Sequence, residues 1–66
     1  MQISVNGELK TVTDGATVTV LLQELGITLG RVAVELNRQI VPKAEHPTAR
    51  LTEGDQVEIV SFVGGG

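Results

Sequence analysis

A single short helical pattern lies between two groups of strand patterns, and this order limits the folds open to the chain. The apolar residues of the pattern recur at helical spacing: Val18, Leu21, Leu22 and Leu25. This stripe predicts one amphipathic helix over residues 18–25. Thr17 suits the N-cap, and Gly26 suits the left-handed position that ends a helix. In a chain of 66 residues, one helix can cover one face of a sheet and leave the other to solvent.

Alternating apolar residues predict the strands on either side of that helix. The predicted strands cover residues 2–6, 9–12, 31–36, 39–41 and 57–63. Asn6 and Gly7 predict a type I′ hairpin turn, because both tolerate positive φ. Pro42 makes the fourth strand an edge strand, since proline cannot donate to a ladder. Residues 43–50 are expected to form a loop with one helical turn. The predicted fold class is α+β, a mixed sheet of about five strands with one helix on one face.

The core of this fold is expected beneath the helix. We expect Leu22 to pack against three strands, at Ile3, Val5, Val34 and Ile59. Apolar residues make up 41% of the chain, which is enough for a small core. Residues 1–63 are therefore predicted to form one domain. Gly64, Gly65 and Gly66, which end the sequence, are expected to form a flexible tail.

Composition also excludes several classes of function. The absence of cysteine rules out disulfides, thiolate metal sites and a cysteine nucleophile. A formal net charge of −3 and a single aromatic residue, Phe62, argue against binding nucleic acid. No apolar run approaches the roughly 18 residues of a membrane span. We therefore expect a cytoplasmic protein with no membrane or nucleic-acid partner.

Several short motifs, taken in order, resemble the ThiS family of small sulfur carriers of thiamine thiazole synthesis. The matching stretches are Met1-Gln2-Ile3 with Asn6-Gly7, Asp14-Gly15-Ala16-Thr17-Val18, Leu21-Leu22 with Leu25-Gly26, Val32-Ala33-Val34-Glu35-Leu36-Asn37, Ile40-Val41-Pro42, Gly54-Asp55, Val57-Glu58-Ile59-Val60 and the terminal glycines. Arg38 departs from the family pattern, where Gly or Gln is common, and the tail carries a third glycine. The resemblance implies the ubiquitin-like β-grasp fold.

The same resemblance implies a mechanism in which the protein is a cosubstrate and not an enzyme. A ThiF-like enzyme would adenylate the Gly66 carboxylate, using ATP and Mg that the partner binds. A cysteine desulfurase or another persulfide donor would then supply sulfur, and the resulting thiocarboxylate would pass it to a ThiG-like thiazole synthase. Gly64, Gly65 and Gly66 would enter the partner's active site, and residues without Cβ atoms suit a narrow channel. The chain itself would bind no cofactor or metal.

The last predicted strand suggests where such partners dock. Val57 and Ile59 share one face, whereas Glu58, Val60 and Phe62 share the other, which becomes apolar toward the tail. An exposed apolar patch often marks a docking surface, and the resemblance favours this interpretation. The alternative is an ordinary central strand whose far face is partly covered by loops.

Other residues and functions are weaker candidates. His46 has no cysteine or second histidine with which to share a metal, so a structural or solvated role is expected. Glu53 and Asp55 either meet basic groups of a partner or form a solvated face. Three alternative functions remain: a sulfur carrier for molybdopterin, cysteine or tRNA thiolation, a ubiquitin-like protein modifier, and a binding module with an incidental tail.

Overall fold

The structure, a computed structural model, describes residues 1–27 and 31–61. These residues include five strands and one α-helix. The elements in chain order are β1 (Gln2–Val5), β2 (Glu8–Thr11), α1 (Val18–Glu24), β3 (Val32–Leu36), β4 (Gln39–Val41), a 3₁₀ turn (Lys43–Glu45) and β5 (Gln56–Ser61). Within these ranges, no helix has the length and apolar character needed to cross a membrane. The predicted tail over 64–66 lies outside the described residues, as do Phe62 and Val63.

The strands form one mixed sheet in the order β2-β1-β5-β3-β4. The last strand, β5, takes the central place, parallel to β1 and antiparallel to β3. Two hairpins flank it, β1–β2 on one side and β3–β4 on the other. This is the ubiquitin-like β-grasp arrangement, so the predicted fold class is confirmed. The prediction that Pro42 ends an edge strand is also confirmed, since β4 lies at the edge of the sheet.

Local signals at both ends of α1 explain where the helix begins and stops. The Thr17 hydroxyl accepts a hydrogen bond from the Val20 N–H at 3.2 Å, as an N-cap does. Gly26 has φ 77°, and the Ile27 N–H behind it donates to the Leu22 carbonyl at 2.8 Å. This is a Schellman ending. The helix is one residue shorter than the predicted range, because its last residue serves as the C-cap.

The core lies between α1 and one face of the sheet. Its buried apolar residues are Ile3, Val5, Val12, Val18, Leu21, Val34, Leu51 and Val57. Leu21 is fully buried, whereas Leu22 packs against this cluster but is only half-buried. The expected packing of Leu22 against this cluster is confirmed, whereas the helix position that is fully buried is Leu21, one residue earlier. The four apolar positions of the stripe span more than one direction around the helix, and only packing selects which faces the sheet squarely.

Candidate functional site

The face of the sheet that turns away from α1, called here the open face, carries exposed apolar side chains. Three large apolar residues in the described ranges are mostly exposed: Leu9 (74%), Ile40 (62%) and Val60 (55%). Their partners in register are Ser4, Glu35 and Ala33. Ser4 follows buried Ile3, and both β3 partners flank buried Val34. Since side chains alternate between the faces of a sheet, all three exposed residues lie on the open face.

Two carboxylates face each other in the middle of the open face. Glu35 on β3 and Glu58 on β5 are direct register partners, and like charges placed directly opposite each other destabilise a sheet. No basic side chain offsets this pair in the described part of the chain. The ion pairs there join the Met1 amino group to Asp14 and Lys10 to Glu8. The open face therefore combines exposed apolar side chains with two carboxylates that have no ion-pair partner among residues 1–27 and 31–61.

The residues that sequence reasoning selected for docking divide into two groups. Glu58 and Val60 are both exposed on the open face. The alternation of the last strand predicts that they share a face. Phe62, Gly64, Gly65 and Gly66 lie outside the described residues. A role for any of these residues in docking or sulfur transfer stays a prediction.

Three further residues of the open face were not anticipated: Leu9, Ile40 and Glu35. Leu9 and Ile40 were assigned to strands, but no face was assigned to either. Glu35 lies in the strand predicted over residues 31–36, and nothing in the sequence indicated that it belongs to a site. The register that places it opposite Glu58 pairs strands more than twenty residues apart along the chain, and a single sequence does not reveal such a pairing.

His46 has a structural role in the described part of the molecule. Its side chain is buried, at 7% exposed, and Nε2 lies 3.1 Å from the Val41 carbonyl oxygen. Its own carbonyl accepts from the Thr19 N–H at 3.0 Å, next to the bond from the Val18 N–H to the Ala49 carbonyl. These contacts satisfy free N–H groups at the start of α1. No group of three or more potential metal-ligating side chains exists among residues 1–27 and 31–61.

Two groups that contact each other have shifted pKa values: the Met1 amino group, just before β1, and the Asp14 carboxyl. A hydrogen bond from the Met1 amino group to Asp14, 2.7 Å long, raises the pKa of that amino group from its ordinary value of 8.0. The same contact lowers the pKa of the Asp14 carboxyl from 3.8. Both groups are solvated, so this pair is a surface feature separate from the open face.

Comparison with known proteins agrees with the fold and with the sequence motifs. The model of the ThiS family matches residues 3–66. The sulfur carrier protein ThiS of Thermus thermophilus is 39% identical over 61 residues, which are 92% of this chain and 94% of that protein. The crystal structure of the thiamine biosynthesis protein ThiS from Geobacter metallireducens has a TM-score of 0.85 and 35% identity, with both chains fully covered.

A second kind of relative is much longer than this chain. The thiazole synthase of Paramagnetospirillum magneticum is 44% identical over all 66 residues. The matched part is 20% of that protein. This chain therefore spans about a fifth of the length of its thiazole synthase relatives.

Proposed function

Because this chain belongs to the ThiS family, we propose that it is a sulfur carrier of thiamine biosynthesis, with the Gly66 carboxylate as the group that receives the sulfur. The observation that carries the proposal is the agreement, in both length and sequence, with the Thermus thermophilus sulfur carrier. The family match continues through residue 66, so it includes the three glycines. The protein acts as a cosubstrate, and its partners supply the catalytic groups.

The proposed chemistry takes place on the terminal carboxylate in two stages. An α-carboxyl has a pKa of about 3.3–3.7, so it is ionised at neutral pH. In a ThiF-like enzyme that binds ATP and Mg, a carboxylate oxygen attacks the α-phosphorus. Pyrophosphate leaves, and an acyl-adenylate forms. A persulfide sulfur from a cysteine desulfurase or a similar donor then attacks the acyl carbon and displaces AMP. A partner thiol cleaves the resulting acyl disulfide and releases the thiocarboxylate.

The folded domain serves this chemistry by docking to each partner through the open face. Val60 and Glu58 lie there, and the alternation of the sequence predicts the same side of the strand for Phe62. The apolar side chains of this face offer area for burial, and a basic partner group between Glu35 and Glu58 would relieve their repulsion. The glycines then extend into the partner's channel, because they lack Cβ atoms and adopt a wide range of backbone angles.

We further propose a ThiG-like thiazole synthase as the protein that takes the sulfur. The support is that thiazole synthases from two organisms contain a region similar to all 66 residues of this chain. A recipient joined to a domain of this kind in one protein is a natural partner for the same domain in another. Carriers for molybdopterin, cysteine or tRNA thiolation use the same tail chemistry, so the recipient needs its own test.

The decisive experiment is an intact-mass measurement on the protein purified from its native cell. We expect a species in which one sulfur replaces one oxygen, located by fragmentation at Gly66. Incubation with thiazole synthase and its other substrates should return the mass to that of the carboxylate, whereas molybdopterin synthase should leave it unchanged. A mass showing an isopeptide bond to a lysine, or no modification under any condition, would contradict the sulfur-carrier proposal.

A further inference from the structure

The side chain of Asn6 continues the pairing of β1 with β5 past the point where the β1 backbone turns away. The last direct partners of the two strands are Val5 and Val57. Asn6 itself lies in the hairpin turn, at φ 50°. Its carboxamide makes two bonds to one residue of β5: Oδ1 accepts from the Ile59 N–H at 2.7 Å, and Nδ2 donates to the Ile59 carbonyl at 3.2 Å. In a parallel ladder, these two bonds to Ile59 would come from backbone groups of the neighbouring strand.

Beyond Ile59, β5 is supported from one side only. Val60 and Ser61 pair with Ala33 and Val32 on β3, and nothing in the described ranges pairs with them on the β1 side. Ile59 is thus the last described position of β5 with a neighbour on both sides, Val34 on β3 and the Asn6 carboxamide. The next residue is Val60 of the open face, and the chain then continues toward Gly66.

We infer that Asn6 is a positioning residue for the C-terminal segment, because it holds the end of β5 against the sheet and so keeps Val60 and Ser61 in one orientation. The inference rests on the proposed function, in which this end of β5 docks and delivers the Gly66 carboxylate. Without the carboxamide, Ile59 would also lose its neighbour on the β1 side, and the strand end paired on one side only would lengthen to include Ile59, Val60 and Ser61. A partner would then have to order that end as it binds, and ordering backbone opposes association. The glycines tolerate small displacements, so the loss falls on docking.

A second turn asparagine provides a matched control at the other end of the same strand. Asn37 also has positive φ, 51°, and its Oδ1 accepts from the Gln56 N–H at 3.0 Å. Its Nδ2 donates to Asp55 at 3.1 Å. Asn37 therefore makes the same kind of contact with the first residue of β5, far from the end that leads to the tail. Its loss should reduce stability without affecting the exit of the chain.

The test compares Asn6→Gly with Asn37→Gly in the full chain. Glycine accepts positive φ, so each change removes a carboxamide and retains the turn. We expect similar, small decreases in melting temperature. In ATP–pyrophosphate exchange with a ThiF-like enzyme, Asn6→Gly should raise KM by about tenfold, the scale of one lost hydrogen bond, with kcat changed much less. For Asn37→Gly the KM should stay within about twofold of the wild type. Amide hydrogen exchange should accelerate at Ile59 in the first variant and at Gln56 in the second.

The outcomes separate this inference from the proposed function. If the wild-type chain is adenylated but the two variants have equal KM values, Asn6 is only a turn residue and the inference is overturned, while the proposed function stands. If the wild type is not a substrate, both are overturned. Should Asn6→Gly fail to fold, Asn6→Asp replaces it, because aspartate also tolerates this backbone region. Aspartate keeps the acceptor for the Ile59 N–H but loses the donor to the Ile59 carbonyl, so the KM of Asn6→Asp should exceed that of Asn37→Gly. A KM between those of the wild type and Asn37→Gly would overturn the inference.

Discussion

The two faces of the sheet are built from the same strands but are used in opposite ways. On the face beneath α1, Ile3, Val34 and Val57 are at most 1% exposed. On the open face, the neighbouring positions along the same strands carry exposed Val60 and the opposed carboxylates of Glu35 and Glu58. Burial of apolar area stabilises the first face, whereas the like-charged pair on the second opposes folding.

Because side chains alternate between the two faces of a sheet, the residues that stabilise the fold and those that can contact a partner lie on opposite faces of the same strands. A substitution on the covered face should act through the free energy of unfolding. A substitution on the open face should leave folding nearly unchanged and act through binding to a partner. Each prediction below tests one side of this comparison.

The largest effect is expected for a leucine on the covered face, with a leucine on the open face as its control. Leu21→Ala should lower the free energy of unfolding by about 2–5 kcal/mol, as removal of a buried leucine does. Leu9→Ala removes the same atoms from an exposed site and should change it by less than about 0.5 kcal/mol. Urea unfolding of both variants measures the difference. Equal losses would mean that the two faces do not differ in their contribution to stability.

Changes in the tail should greatly reduce adenylation of the chain by a ThiF-like enzyme, measured as ATP–pyrophosphate exchange, without affecting the fold. Gly65→Val, an alanine added after Gly66 and deletion of Gly66 each alter the position or the access of the terminal carboxylate. Because a misplacement near 1 Å can reduce a rate on the order of 100-fold, pyrophosphate exchange should fall by about that factor. Melting curves should match the wild type. Normal adenylation and thiocarboxylation of all three variants would show that the tail is not the reactive segment.

A charge placed on the predicted docking patch should weaken partner binding by an intermediate amount. Phe62→Asp would put an unpaired charge into the interface, and burying such a charge is unfavourable. We expect at least about a tenfold rise in Kd for the adenylating enzyme, near the loss of one strong interface contact. Ala44→Asp adds the same charge at an exposed position of the 3₁₀ turn and should have no such effect. Loss of folding in Phe62→Asp, with binding otherwise retained, would place Phe62 in the core.

The smallest effect has opposite signs for folding and binding. Glu58→Gln removes the repulsion with Glu35, so it should raise the free energy of unfolding by about 0.2–1 kcal/mol at low salt. The gain should shrink as salt screens the two charges. The same change should weaken binding to the partner, because it removes half of the acidic pair. Glu45→Gln, exposed on the 3₁₀ turn, controls for net charge. A Glu58→Gln variant that is less stable than the wild type and binds the partner equally well would contradict this account of the open face.

Most of the fold was predictable because its signals are local. The stripe of α1, the Thr17 cap and the Gly26 ending each involve residues within a few positions of one another. The hairpin turn at Asn6 and Gly7 is of the same kind, and both residues adopt the expected positive φ. The sequence predicted the packing of Leu22 on the core but not the complete burial of Leu21, since the orientation of a helix on a sheet depends on everything that packs beneath it.

Only part of the candidate site could be predicted, for a related reason. The sequence placed Glu58 and Val60 on one side of their strand by alternation alone. Glu35 and Ile40 belong to the same surface through strand pairing, which joins distant segments. Asn6 was expected in a turn because it tolerates positive φ, but the two bonds from its carboxamide to Ile59 join residues more than fifty positions apart and were not predicted.

The sequence by itself determined the helix and strands, the helix caps, the turn at Asn6 and Gly7 and the motifs of the family, because each of these signals lies in residues close to one another in the chain. The tertiary structure alone decided which strand is central, that Glu35 and Glu58 oppose each other, and that two turn asparagines hold the two ends of β5. These features depend on the position of the last strand, which lies between the β1–β2 and β3–β4 hairpins of the preceding sequence. Pairing of that kind depends on the packing of the whole sheet, and no short stretch of residues encodes it.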